Sequence, residues 1–288
     1  MTPVNQSLTS VVIVSYHTGP VLFEAIASVL AQTAPVELLL IDNGNPPEAS
    51  DKLRTLALQD ARLHLFNGQG NVGFSKGCNM GAHAAQGETL LFLNPDSVLP
   101  PDTISKLNEH GARLKRPYMI GARLVGADGK DQRGCRRAAL TPMTACVEAL
   151  NLGVLFPQMR FNRHHEPLPT TLMQIPVISG AFMFLPREDF WNMGGFDEHY
   201  FIHVDDLDLC LRFRRKGGEI WFAPDIKATH FAGTSKANRA VLERHKARGF
   251  MHYFHKNFGS QYPKPFLWLL DAAIWVRMGV RMGLGALR

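Results

Sequence analysis

Cysteine is scarce and scattered: Cys78, Cys135, Cys146 and Cys210 are four in 288 residues, and no two form a CxxC pair. A disulfide frame or a cysteine zinc site is therefore not the expected organising feature; reduced thiols of a cytosolic protein are. Long apolar runs are also lacking, since FLWLLDAAIWV (266–276) is too short for a bilayer span and carries Asp271. No charged-then-apolar leader opens the chain, so secretion is not expected. Internal repeats and low-complexity runs are absent. Charged residues make up 19% and hydrophobic ones 45%, which excludes wholesale disorder. The net charge of +6 leaves acidic partners open. Its basic residues gather at RGCRR (133–137) and in the last quarter, without the interleaved aromatics of a single-strand-binding platform, so no nucleic acid is expected.

What is present is a rhythm. SVVIVSY (10–16) is β-branched and apolar, and PVLFEAIASVLAQ (20–32) sets Leu22, Ile26, Val29 and Leu30 at helical spacing. VELLLIDNG (36–44) predicts a second strand and PPEASDKLRTLALQ (46–59) a second helix opened by prolines. ARLHLFN (61–67) predicts a third strand, GFSKGCNMGAHAAQG (73–87) a small-residue helix, and LLFLNPDSVLP (90–100) a fourth strand. Such alternation predicts an α/β fold on a parallel sheet with right-handed crossovers. A helix near 101–115 and a strand at 119–125 follow, then an irregular, substrate-covering stretch at 133–175. Regular elements resume at 176–187, at a helix over about 204–216, at the strand EIWFAPDIKATHF (219–231), and in a helical section from about 236.

Polar residues sit where successive strands end: Tyr16, then Asp42 and Asn43, then Asn71, then Asn94 and Asp96. Each alone reads as turn chemistry. Together they mark one edge of a parallel sheet, where open α/β folds bind ligands. Asp42 suits a base N–H or a ribose hydroxyl, and Asp96 a divalent cation against a diphosphate. HVDDLDLCLRFRRKGG (203–218) puts Asp205, Asp206 and Asp208 in the first turn of a helix, where carboxylates are favoured and Asp208 can pair with Arg212. Adjacent carboxylates also raise one pKa, which suits a general base. His230 ends an apolar strand, either as a core histidine or, near Asp96, as a metal ligand.

GQGNVG (68–73) is a literal GxGxxG after a predicted strand, with Asp96 at the distance of a ribose-binding acid. An NAD- or FAD-dependent oxidoreductase is thus a rival reading. Against it, the fingerprint normally belongs to the first strand of its sheet, and here two strand–helix units precede it.

VVIVSY, LLIDNG, NVGFSKGCNMG, LFLNPD, ISGAFMFLPRE, GGFDEHYFIHVDDLDLCLRFRRKG and ATHFAG, in this order over residues 10 to about 255, resemble the family-two glycosyltransferases of GT-A fold. Within them the sequence is most similar to the rhamnosyltransferase-like branch of bacterial surface-polysaccharide synthesis. The resemblance implies a nucleotide site at Ser15, Tyr16, Asp42, Asn71, Gly73, Asn79, Asn94 and Asp96. It implies Asp96 and His230 as ligands of Mn²⁺ or Mg²⁺, with Asn94 in place of the first carboxylate of the D-x-D motif. Asp206 then maps to the catalytic base beside Asp205, and Ser179, Gly180 and Arg212 to donor or acceptor positioning. The implied reaction is inverting transfer of a sugar, L-rhamnose from dTDP-rhamnose favoured over other dTDP- or UDP-sugars, to a glycan or polyprenyl-diphosphate-linked acceptor. A non-catalytic sugar-nucleotide-binding protein is a further alternative, opposed by the intact Asp96, Asp206 and His230.

The expected organisation is a GT-A domain over 1–235, with a nucleotide half (1–100) and an acceptor half (101–235), followed by a helical section over 236–288. On a helix there, Arg277, Arg281 and Arg288 share a face near Trp268 and Trp275. This suits either an interfacial helix on the inner face of a bacterial cytoplasmic membrane or packing on the protein's own body or a second subunit of a homodimer.

Overall fold

The computed structural model describes residues 7–149, 152–235 and 238–286. Strands β1 (Thr9–Ser15), β2 (Val36–Asp42) and β4 (Thr89–Leu93) are buried at every position, which explains their almost unbroken apolar sequences. With β3 (Leu63–Phe66) they form a parallel half-sheet, crossed over by α1 (Val21–Leu30), α2 (Pro47–Gln59) and α3 (Phe74–Ala84). α3 lies close on the sheet because it is small-sided. A Cβ on Gly81 would come within 2.5 Å of Val12 and one on Gly77 within 2.9 Å of Val14.

The second half departs from the expected parallel order. β5 (Ser97–Val98), α4 (Thr103–Gly111), β6 (Tyr118–Val125), β7 (Met173–Gln174), β8 (Phe182–Pro186) and β9 (Glu219–His230) complete a mixed, mostly parallel sheet ordered β3-β2-β1-β4-β8-β6-β9-β5, with β7 on β9. β8 runs antiparallel to β4 and β6. The reason is local: Asn94 N donates to Ala181 O at 3.0 Å, so β8 starts where β4 ends and must run back. The stretch expected as one strand over 90–100 divides at 94–96, and β5 leaves to pair Ser97 with His230. The irregular stretch at 133–175 holds a short helix, α5 (Pro142–Ala149), besides turns.

α6 (Arg187–Asn192) and α7 (Asp205–Arg215) flank the sheet, and α8 (Arg239–Phe258) and α9 (Lys264–Ala286) close the chain. α8 buries Tyr253, Phe254 and Phe258, and the first turns of α9 bury Leu267 and Leu270. A polar knot fixes α8 to α7. Asp208, fully buried, accepts from Arg212 Nε at 2.7 Å, Asn257 Nδ2 at 3.0 Å and Lys256 Nζ at 2.9 Å. A buried carboxylate so surrounded stays ionised: burial would raise its pKa, but Arg212 and the donors of α8 hold it below the usual range.

Candidate active site

The carboxyl ends of β1 and β2 build the first wall. Ser15 Oγ meets Asn45 Nδ2 at 2.9 Å and Thr18 Oγ1 at 3.1 Å. Asp42 Oδ1 accepts from Gly44 N, Asn45 N and Asn45 Nδ2, and Oδ2 from Ser50 Oγ at 2.6 Å. Burial would raise the Asp42 pKa, yet these donors hold it low. The carboxylate thus shapes the 42–50 turn and keeps one lone pair, on Oδ2, for a ligand. Tyr16 stands edge-on to His17, and its carbonyl accepts from Ser235 Oγ at 2.8 Å, tying the chain after β9 to the end of β1.

Asn71 is exposed and its Oδ1 accepts from Gly73 N at 3.1 Å. Gly73 has φ +87°, and a Cβ there would fall 2.6 Å from Phe201 O. Only glycine lets this turn press on the 201–204 loop that leads into α7. Asn43, expected at this edge, and Gln69, which the sequence did not single out, join it: Asn43 Nδ2 donates to Gly73 O at 3.0 Å and Gln69 Nε2 to Asp42 O at 2.9 Å.

Two candidates are directed elsewhere. Asn79 spends both amide hydrogens on Phe196 O and Glu198 Oε1, at 2.9 and 3.0 Å. Arg212 donates to Asp208, Met193 O and Gly195 O. Their partners make them braces of the 193–198 loop. For Arg212, the pairing with Asp208 expected from their spacing is the one formed.

The Asn94-Pro95-Asp96 stretch closes a turn and brings Asp96 against His230. Ser97 N donates to Asn94 O at 3.1 Å, closing the turn. Asp96, 5% exposed, faces His230: Oδ1 lies 3.2 Å from Nε2, while Oδ2 accepts from Thr234 Oγ1 at 3.0 Å. Burial would raise the Asp96 pKa, but His230 and Thr234 hold it low. Gln132 fixes the histidine. Its Oε1 is 2.6 Å from His230 Nδ1 and its Nε2 donates to His230 O at 2.5 Å. An amide oxygen can only accept, so Nδ1 carries a proton; Nε2 donates to Asp96 in the doubly protonated ring and offers a lone pair to a cation in the neutral one. A carboxylate oxygen and an imidazole lone pair set 3.2 Å apart form a donor pair that suits a divalent cation. Asn94 Nδ2 reaches the same nitrogen at 3.1 Å.

The opposite wall is the mouth of α7. His203 and Val204 both have positive φ (65° and 70°), a strained conformation for a β-branched residue, and it turns the chain abruptly into Asp205 and Asp206. Asp206 Oδ2 accepts from the Arg137 guanidinium and from Gly180 N at 3.0 Å, while Oδ1 accepts only from Leu207 N at 2.8 Å. Gly180 is tight here, since a Cβ would fall 3.1 Å from Asp206 Cβ. Ser179 lies just before it, its Oγ accepting from Ala181 N at 3.3 Å. The two carboxylates are driven apart. Burial would raise both, but Arg137 holds Asp206 low, whereas burial and the Asp206 charge push Asp205 up. The acid kept ionised is therefore Asp206. Arg137 lies in RGCRR, where the sequence showed only clustered charge. Its guanidinium also donates to Ile178 O and lies 5.7 Å from the Phe161 ring centre.

A mixed α/β sheet with a carboxylate–histidine pair at one strand end and a charged aspartate across from it has the form of a GT-A sugar-nucleotide transferase. The chain belongs to glycosyl transferase family 2, whose family model matches residues 10–194. It is 25% identical over 284 residues to an N-acetylglucosaminyl-diphospho-decaprenol L-rhamnosyltransferase of Mycobacterium tuberculosis, spanning 93% of this chain and 90% of the relative. It is 25% identical over 150 residues to the rhamnosyltransferase WbbL of Escherichia coli, spanning 51% and 54%. Its fold matches a mannosyltransferase of Pyrobaculum calidifontis solved with GDP-Man and Mn²⁺ (TM-score 0.60, 16% identity, 94% of this chain and 70% of that one). It also matches GalNAc-T7 solved with UDP, GalNAc and Mn²⁺ (TM-score 0.61, 18% identity, 87% and 48%). The protein is a glycosyltransferase.

If Arg137 keeps Asp206 ionised, its removal has a defined pH signature. The ionised form is the active one, so the lowered pKa keeps activity as pH falls. Arg137→Met leaves burial uncompensated and shifts the acid limb of the transfer rate upward by roughly 1–3 pH units. A pH–rate profile with the limb unmoved contradicts this role.

Proposed function

We propose that the chain moves a sugar from a nucleoside diphosphate to a hydroxyl of a lipid-linked or glycan acceptor, with inversion, and that dTDP-rhamnose is the favoured donor. One observation carries the chemistry: Gly180 N binds Asp206 while the carbonyl of the next residue, Ala181, binds Asn94 N, so base and diphosphate ends sit on one short segment. The names of the mycobacterial and E. coli relatives support rhamnose and, for the former, a diphospho-polyprenol acceptor.

Asp42, Tyr16 and Asn71 border the space for base and ribose, and Asp96 with His230 the space for the diphosphate. When bound there, a divalent cation supplies positive charge against the leaving diphosphate. Asp206 Oδ1, the oxygen not bonded to Arg137, accepts from Leu207 N and takes the acceptor hydroxyl proton as the hydroxyl oxygen attacks the anomeric carbon. The bond to the nucleoside diphosphate breaks on the far face, so one displacement inverts the centre. Nothing in the structure or the relatives favours the oxidoreductase reading; NADH binding without dTDP or UDP binding in calorimetry would restore it. Asp96→Ala and His230→Ala should each lower kcat by roughly 10²–10³ and blunt the response to added Mn²⁺, with the melting curve retained. Undiminished, Mn²⁺-responsive transfer by either variant returns residues 94–96 to a plain turn.

We read the domains in the same way: the candidate site residues all lie before 235, and α8 and α9 form a helical section packed on that part. No helix among the described residues is long and apolar enough to cross a membrane. α9 nevertheless exposes Trp268 (61%), Leu269 (71%) and Val276 (67%) while Leu267 and Leu270 dock. Arg288 lies outside the described residues, as does the side chain of Arg281. We assign this apolar strip to the surface of an anionic membrane. Replacing Trp268 and Trp275 by Ser should reduce co-sedimentation with anionic vesicles several-fold; unchanged sedimentation, or a dimer that dissociates instead, contradicts the assignment.

A further inference from the structure

The segment that delivers Arg137 also folds around a cavity of about 210 Å³, lined by Arg133, Glu148, Gly153, Arg160, His164 and His165 among others. Its charge is mostly positive and poorly compensated. Glu148 is the one carboxylate in the lining; it accepts from Phe161 N at 2.9 Å and stands 3.8 Å from Arg133. Arg160 is anchored through Nε to Gly153 O at 2.6 Å, and its terminal nitrogens make no hydrogen bond among the described residues. His164 Nδ1 is buried without a partner, and its ring packs 3.6 Å, centre to centre, from that of His165. A buried polar nitrogen left unpaired between cations is costly unless a ligand completes it.

The rim has the opposite character. Val154 and Leu155 are 78% and 70% exposed, and Met143 and Phe156 are exposed as well, all within one stretch of chain beside the basic lining. A basic hole edged by exposed aliphatic side chains matches an amphipathic anion rather than a free phosphate or a nucleotide.

The cavity is also wired to the base. Residues 136–138 pair with 161–163 through Ala138 N to Phe161 O at 2.7 Å and Arg163 N to Arg136 O at 2.9 Å. Arg133 at the cavity and Arg137 at Asp206 are four residue steps apart on a chain that turns between them, Cys135 N donating to Gln132 O, so cavity and base share one short segment.

We propose that this cavity binds the diphosphate of a prenyl-diphosphate-linked sugar, the acceptor, with Met143, Val154, Leu155 and Phe156 against its first isoprenoid units. The inference rests on the transferase reading above and adds where the acceptor sits. Arg133 and Arg160 grip the diphosphate oxygens, His164 donates or accepts according to its tautomer, and the paired segment carries the sugar hydroxyl toward Asp206.

Farnesyl diphosphate and inorganic pyrophosphate, titrated calorimetrically without divalent cation, are the probes. Farnesyl diphosphate should bind more tightly than pyrophosphate. Arg133→Gln and Arg160→Gln should each weaken both about tenfold, with Arg160→Lys recovering part of the loss, and Leu155→Asp should weaken only farnesyl diphosphate. Binding of dTDP with Mn²⁺, measured on the same variants, should be unchanged. It reports an intact fold, and its failure in the unaltered protein would overturn the transferase reading separately. The proposal is overturned if farnesyl diphosphate does not bind, if the arginine variants bind it equally well, or if these arginines serve phosphatidylglycerol vesicles and not the prenyl diphosphate.

Discussion

A carboxylate kept charged where burial would neutralise it is the constraint on which the site depends. Asp206 lies at the strained mouth of α7, beside the buried Asp205, and two ionised carboxylates cannot persist together there. The Arg137 guanidinium and two backbone N–H groups resolve the conflict in favour of Asp206. This one requirement dictates much else. Arg137 must be delivered from a segment lying against Val177, position 180 must carry no side chain, and the 201–204 loop must be pinned by the turn at Gly73.

Two short segments hold the site's halves in fixed relation. Ala181 and Gly180 touch Asn94 and Asp206, and four residues separate Gln132, which orients His230, from Arg137, which orients Asp206. The stretch around 133–175 therefore does more than cover a substrate. Its beginning sets the tautomer of one functional group and the charge of another, and the cavity it encloses lies along the same chain.

The first hundred residues were legible because their strands are buried on both faces and their helices carry clean spacing; β1 to β4 and the polar strand ends follow from that alone. The reversal of β8 was not, since an apolar strand carries no mark of direction and only the Asn94–Ala181 contact sets it. Asp96, His230 and Asp206 were visible by type and position. Gln132 and Arg137 were not, because an uncharged amide and one arginine among several give no periodic signal. Asn79 and Arg212 show the converse limit: motif position suggested ligand contacts, while their hydrogen bonds go to the 193–198 loop. In the NPD stretch the backbone closes a turn while Asp96 pairs with His230, so turn chemistry and a ligand-suited pair coexist there.

The most direct test separates binding from proton removal at Asp206. Asn keeps the shape, and its carbonyl oxygen can keep the contacts to Arg137 and Gly180, but its amide nitrogen gives up the Leu207 contact and cannot take a proton. Donor affinity and single-turnover transfer should be measured together on Asp206→Asn. The account predicts donor affinity close to that of the unaltered protein and transfer slower by about 10²–10⁴-fold, the scale of a lost general base. Transfer at full rate would contradict it and move the base to Asp205 or Asp208.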